Sequence, residues 1–154
     1  MKLDIKIDQR QIRNFDQLTK LGIQRLNTKL NYIVDSTARD IVADTQTDML
    51  IGSKTGNLYK KITSNGVTKY NHESSAIGET PAVISGGLSR DFKVSRHGTG
   101  SSHMATITNT SEYAPILSRM GRVIVLNDEA AKRNMKDRVR QTIKDIKAMY
   151  KRKR

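Results

Sequence analysis

Residues 23–51 run without a glycine or a proline, and along them apolar side chains return every three or four positions: Leu26, Leu30, Ile33, Val34, Ala38, Ile41 and Val42, with Thr45 continuing the series. That step is the period of an α-helix with one buried face. Arg25, Lys29, Asp35, Arg39 and Asp40 fill the other side. The spacing predicts one long helix from Ile23 to about Met49. Its β-branched residues lower intrinsic helix propensity, so packing must hold it. In a chain of 154 residues, such a helix leaves room for a single domain. It leaves none for a TIM-type barrel or a multi-domain enzyme.

The rest of the chain alternates short strands with punctuation. Leu3, Ile5 and Ile7 alternate with charged residues, the period-two pattern of a strand with one buried face. Ile12, Phe15, Leu18 and Leu21 recur every three residues, which predicts a helical stretch over 12–21, with Gly22 as a joint before the long helix. Residues 52–88 hold six of the ten Gly. Within them, Leu58–Thr63 and Val67–Asn71 flank Ser64-Asn65-Gly66, a β-hairpin signal because Asn-Gly supplies the positive φ of a tight turn. An irregular loop follows over Glu73–Thr80, with Pro81 behind it. Ser85-Gly86-Gly87-Leu88 reads as a turn leading into a strand.

Phe92–Arg96 and Ala105–Asn109 read as two more strands joined through Gly98–Ser102. Ser111 can cap a short helix with Pro115 in its first turn, and Gly121 stops it. Val123–Leu126 reads as a strand or an extended segment. Asn127 or Asp128 caps a last helix, marked by Met135, Val139, Ile143, Ile146 and Tyr150. The sum is α+β: a long N-terminal helix and a C-terminal helix on a small antiparallel sheet, with an extended hairpin and loop over 52–80. There is no internal repeat and no low-complexity linker.

The net charge of +13 is concentrated at one end. Residues 131–154 carry eleven basic residues against Asp137 and Asp145, which leaves the other 130 residues close to ordinary. A basic contact surface therefore concerns Arg140, Lys144, Lys147, Lys151, Arg152, Lys153 and Arg154, with 148–154 as a basic tail. Three readings of that end stand side by side: a solvated helix face, a surface for an acidic protein, and a surface for nucleic-acid phosphates. With only two Phe and five Tyr, and no clustered aromatic signature, base stacking has little to work with. The chain has no Cys, so it holds neither a disulfide framework nor a Cys-based zinc site. No apolar run approaches the ~20 residues of a membrane span. The N-terminus lacks the apolar block of a signal peptide, and folding in a reducing cytoplasm is expected.

Catalytic motifs are scarce. His72, His97 and His103 show no metal-ligand spacing. His97 and His103 either face each other across a hairpin, where they could share a metal, or are solvated edge residues. No Gly-x-Ser-x-Gly elbow occurs. Gly52-Ser53-Lys54-Thr55-Gly56 lacks the full phosphate loop and reads as a loop with a surface lysine. Asp128-Glu129 suits a helix start. Neither an enzyme activity nor a cofactor is expected.

The middle of the chain carries a pattern. Thr55-Gly56-Asn57-Leu58-Tyr59 leads through the hairpin to His72, Ser74 and Ala76. Gly78-Glu79-Thr80-Pro81-Ala82-Val83 follows, then Ser85-Gly86-Gly87-Leu88 and Tyr113-Ala114-Pro115-Ile116-Leu117. This resembles the neck family of tailed bacteriophages, the minor tail, tail-completion and head–tail joining proteins. The likeness extends to the N-terminal strand and long helix. It departs at Gly86-Gly87, one small residue more than usual, at Ser118-Arg119, where an acid is common, and at Arg122–Leu126.

The resemblance implies a non-enzymatic virion protein, assembled in the host cytoplasm, that forms a homo-oligomeric ring joining head to tail. Its implied partners are itself, the connector or head-closure proteins, the tail terminator or tube, and packaged DNA, with no membrane. The other reading of the residues is a small basic nucleic-acid-binding protein. On the resemblance, Gly56, Leu58, Tyr59, His72, Gly78, Glu79, Pro81, Gly87, Leu88 and Tyr113 are the expected contacts with neighbouring subunits or rings. Plain turn geometry is the competing explanation for Gly56, Gly78, Pro81 and Gly87.

Overall fold

The computed structural model describes residues 1–6, 20–62, 68–82, 86–98 and 102–151, with the backbone alone at 4–6, 58–62, 68–73 and 150–151. In chain order the elements are β1 (Lys2–Lys6), α1 (Lys20–Ile51), β2 (Leu58–Ile62), β3 (Thr68–Glu73), α2 (Gly87–Arg90), β4 (Phe92–His97), β5 (Ser102–Asn109), α3 (Ala114–Arg119) and α4 (Glu129–Lys151). The architecture is α+β, with a long N-terminal helix, a C-terminal helix and a three-stranded sheet in the order β1-β5-β4. A separate antiparallel hairpin pairs β2 with β3. Leu58 faces Glu73 and Tyr59 faces His72, with a register shift between Lys61 and Ile62.

Some expectations move. Gly22 lies buried inside α1 and is no joint, because α1 already runs from Lys20. A glycine costs a helix about 1 kcal/mol, and a run of this length carries it. The stretch expected as a helix over 12–21 lies outside the described residues up to position 19, as do Ile7 and the Ser64-Asn65-Gly66 turn. Gly87-Leu88 opens a one-turn helix, α2, where a simple turn into β4 was expected. Val123–Leu126 forms no strand. Its Val123 and Leu126 N–H groups go to the Glu79 carbonyl and the Thr45 hydroxyl, which leaves no strand ladder.

The chain divides into two compact units. The first comprises Met1–Ile41, Val94–Thr108 and Asn127–Arg154. Its core is apolar. α1 supplies Leu26, Leu30, Ile33, Val34, Ala38 and Ile41, α4 supplies Met135, Val139 and Ile146, and the strands supply Leu3, Ala105 and Ile107. Each of the larger side chains is worth about 1.5–3 kcal/mol when fully buried. Along β5, His103, Ala105 and Ile107 alternate inward, the strand period read at half-buried spacing. The Met1 ammonium donates to the Ile107 carbonyl at 3.1 Å, and the Ile107 N–H donates back to the Met1 carbonyl at 3.0 Å. Asp128, rather than Asn127, caps α4: its Oδ1 accepts the Ala131 N–H at 2.8 Å.

The second unit comprises Val42–Lys93 and Asn109–Leu126. Its buried residues are mostly polar: Thr45, Ser75, Thr80, Ser89 and Ser111 beside Met49 and Ala114. Gly56 sits where its N–H reaches the Ser74 carbonyl at 2.8 Å, and a Cβ there would collide with that carbonyl. Gly121 ends α3 with φ at 77°, a conformation that strains any other residue. Ser111 does not cap α3 itself. Its hydroxyl accepts the Tyr113 N–H at 3.3 Å, and Tyr113 is the cap residue of that helix.

Candidate functional site

Three groups of residues concentrate chemistry, two in the second unit and one in the first. In the second unit a polar knot forms around the C-terminal turn of α1. Lys54 donates to the Asp48 carbonyl at 2.8 Å and to the Thr80 hydroxyl at 2.8 Å. The Thr80 hydroxyl in turn donates to Asp48 Oδ2, and Lys54 Nζ lies 3.5 Å from that same oxygen. The expected surface lysine is therefore an interior one, its side chain only 7% exposed. The reason is the helix end: the last carbonyls of α1 lack intrahelical donors and carry the negative pole of the helix.

Glu79 makes the second half of the knot. Its carboxylate accepts the Thr55 hydroxyl at 2.5 Å, the Thr55 N–H at 3.2 Å and the Ala76 N–H at 2.7 Å. The Thr55 hydroxyl first, and then the Ala76 N–H, hold its carboxyl below the ordinary value of 4.5. The Gly78 N–H reaches the Gly121 carbonyl at 2.8 Å and the Val123 N–H reaches the Glu79 carbonyl at 2.9 Å. Pro81 is buried. Thus Gly56, Gly78, Glu79 and Pro81, singled out separately in the sequence, belong to one loop framework.

Beside it lies a groove of about 600 Å³, with Leu88, Tyr113, Ile116 and Leu117 in its lining and Asp91 and Glu112 among its polar groups. The Asn109 side chain bridges this region. Its Nδ2 donates to the Leu88 carbonyl at 2.7 Å and its Oδ1 accepts the Ser111 N–H at 3.0 Å. Gly87, Leu88 and Tyr113 therefore share one wall system. Tyr113, Ile116 and Met120 are exposed, as are Leu50, Ile51 and Ile77 elsewhere in the unit. Sequence reasoning missed Lys54, Asp48, Thr80 and Ile77. Their signal was only a lysine and an acid flanking a helix end, and an isoleucine in a Gly-rich loop.

The first unit carries the basic surface. Arg140 and Lys144 are exposed on α4 and Lys147 is half-buried. Lys151 ends the helix, and Arg152, Lys153 and Arg154 lie outside the described residues. The side chains of Leu58, Tyr59 and His72 likewise fall outside the description, though their backbones pair in the hairpin.

The histidine expectation needs correction. His97 is exposed, but His103 is buried to 2% exposure, not a solvated edge residue. It occupies an inward position of the central strand, and its Nδ1 lies 2.8 Å from Asn31 Oδ1. Nδ1–H donates in that arrangement, so Nε2 is left as an acceptor with no hydrogen-bond partner among the described residues. Burial holds His103 below the ordinary value of 6.5. Among the described residues, no group of three His, Cys, Asp or Glu could hold a metal ion. No helix among them is long and apolar enough to cross a membrane.

Comparison with models of known protein families, with curated proteins and with solved structures returns no match.

Proposed function

We infer that this protein is a non-enzymatic structural subunit of a phage virion, closing into a homo-oligomeric ring in the neck and joining the head connector to the tail. One observation carries the reading. Apart from the N-terminal strand and long helix, the motifs of the resemblance fall in the second unit, with Gly56, Gly78, Glu79 and Pro81 in the Glu79 framework and Gly87, Leu88 and Tyr113 along the groove, and that unit leaves Ile51 and Ile77 about four-fifths exposed at 80% and 81%. Exposed isoleucines and an apolar groove within one unit suit surfaces that are covered on assembly. A ring requires two unlike faces on each subunit, one matching the other on the neighbour. The β2–β3 hairpin supplies sheet edges to which a neighbour can add main-chain hydrogen bonds.

The test is the assembly state. Native mass spectrometry and negative-stain imaging across a concentration series should give a closed ring of one stoichiometry. Ile77→Asp together with Ile116→Asp should return it to monomer with the helix content intact. A wild-type protein that is monomeric at every concentration, and that leaves purified phage connectors unoccupied, removes the reading.

A further inference from the structure

We propose that the exposed side of α4 is a binding surface for the phosphate backbone of duplex nucleic acid, independent of base sequence. The helix does not scatter its cations. Counted from buried Val139 at about 100° per residue, Arg133, Lys136, Arg140, Lys144 and Lys147 fall within a sector of roughly 80°. They follow one another by three or four positions. The backbone position of Lys151 continues the line at the end of α4. From Arg133 to Lys151 the line is about 27 Å long at 1.5 Å per residue.

The opposite flank of α4 is different. There Arg138 donates to the Ser36 hydroxyl at 3.1 Å, and Gln141 donates to Asp145 at 2.7 Å. Met135, Val139 and Ile146 are buried, which fixes the rotation of the helix and leaves the cationic line outward.

Asp137 touches the line without closing it. Asp137 pairs with Arg140 at 3.2 Å, with both side chains more than 70% exposed at 72% and 75%. A surface pair of that kind is worth little and exchanges readily for a phosphate. Glu129 holds Lys132 at 3.0 Å and marks the N-terminal limit of the surface.

A line of point charges at every helical turn matches a uniform polyanion better than it matches the discrete acids of a protein. Duplex DNA presents a charge about every 1.7 Å of its axis, so each cation finds an anion in any register. The line itself holds no aromatic residue and so offers bases no stacking platform of its own, which favours duplex over single strand. Contacts confined to phosphates position a protein without reading sequence.

The proposal does not rest on the ring reading. Its test uses the full chain and two unrelated duplexes of thirty base pairs, with fluorescence anisotropy read at several salt concentrations. Five phosphate contacts predict a log–log salt slope of about −4.5, which is about 500-fold weaker binding at 200 mM than at 50 mM salt. Both duplexes should bind alike. The variant R133Q/K136Q/R140Q/K144Q should lose most of the affinity, with the slope falling to about −1. The charge-matched variant R25Q/K29Q/K93Q/R119Q, off the line, should stay within about threefold of wild type if non-line cations contribute only long-range attraction. Circular dichroism melts establish that both variants are folded.

Equal losses in the two variants would overturn the proposal, as would a slope shallower than about −2. Tighter binding of a single strand also overturns it. So does binding of polyglutamate but not duplex, which gives the surface to an acidic protein. A monomer that binds as described keeps this proposal while removing the ring, and a ring that ignores duplex does the reverse.

Discussion

The two units of this chain solve the same problem with different materials. The first is held by apolar burial. Among the described residues, twelve of the fourteen buried apolar side chains stand there, and only Met49 and Ala114 stand in the second. The second is held by hydrogen bonds and one buried cation, with Lys54, Asp48, Thr80, Thr55 and Glu79 at the centre. It also leaves Leu50, Ile51, Ile77, Tyr113, Ile116 and Met120 exposed. The difference teaches where each unit is vulnerable. An apolar core is non-directional and tolerates small shifts, whereas a polar knot fails as a set once one partner leaves a buried group unpaired.

Leu30→Ala should break the first unit hardest. Leu30 is fully buried at 0% exposure, and its truncation should cost about 3 kcal/mol in urea unfolding. Lys54→Met should be the second largest. It leaves Asp48 and Thr80 without their shared cation, and a loss of about 2 kcal/mol is expected. Hydrogen exchange should accelerate over 52–82 and stay unchanged around Leu30; exchange that rises equally in both units would erase the distinction between them. Gly121→Ala should cost about 1 kcal/mol, because the residue would be forced into a left-handed conformation. The added Cβ would also meet Ile77 Cγ2 at 3.0 Å.

The smallest effects are pH-dependent, and they differ by unit. His103 in the first unit is held below 6.5 by burial. The unfolded chain therefore takes up its proton first. Its contribution is complete above about pH 6.5, declines as pH falls below that, and levels off beneath the lowered folded value. His103→Leu should flatten that slope in thermal melts. Glu79 in the second unit is held below 4.5 by the Thr55 hydroxyl and then the Ala76 N–H. Its contribution is present above about 4.5 and is lost as pH falls through the lowered value. Glu79→Gln should remove that acid sensitivity from exchange at 55 and 76 and leave the melt near pH 6 alone.

Much of the first unit was legible because its signals are local. The three- and four-residue steps of Leu26, Leu30, Ile33 and Val34, and those of Met135, Val139 and Ile146, place both long helices, and all seven residues are buried. The hairpin was readable from Asn65-Gly66 between two β-prone runs, but β3 runs on to Glu73, where the irregular loop was expected to begin, and pairs it with Leu58. The polar knot was not legible. Nothing in Gly52-Ser53-Lys54-Thr55-Gly56 says that the lysine turns back onto the carbonyl of Asp48, since that depends on where α1 stops. His103 escapes a local reading for a related reason: the Gly/Ser-rich run before it looks solvated, yet β5 begins at Ser102 and turns His103 inward. Three of the four boundaries between the units fall inside α1, β4 and β5, where no change of composition marks them.

By itself the sequence determined the elements and the concentration of charge. Periodicity and turn chemistry act between residues a few positions apart, and a count of lysines and arginines needs no coordinates. The tertiary structure decided what those elements do with their polar groups. It carried Glu79 to Thr55, 24 positions away, and Thr80 to Asp48, 32 positions away. It also fixed which side of α4 stays outward by burying Val139. Such pairings depend on chain closure over tens of residues, and no local pattern encodes which donor will meet which acceptor.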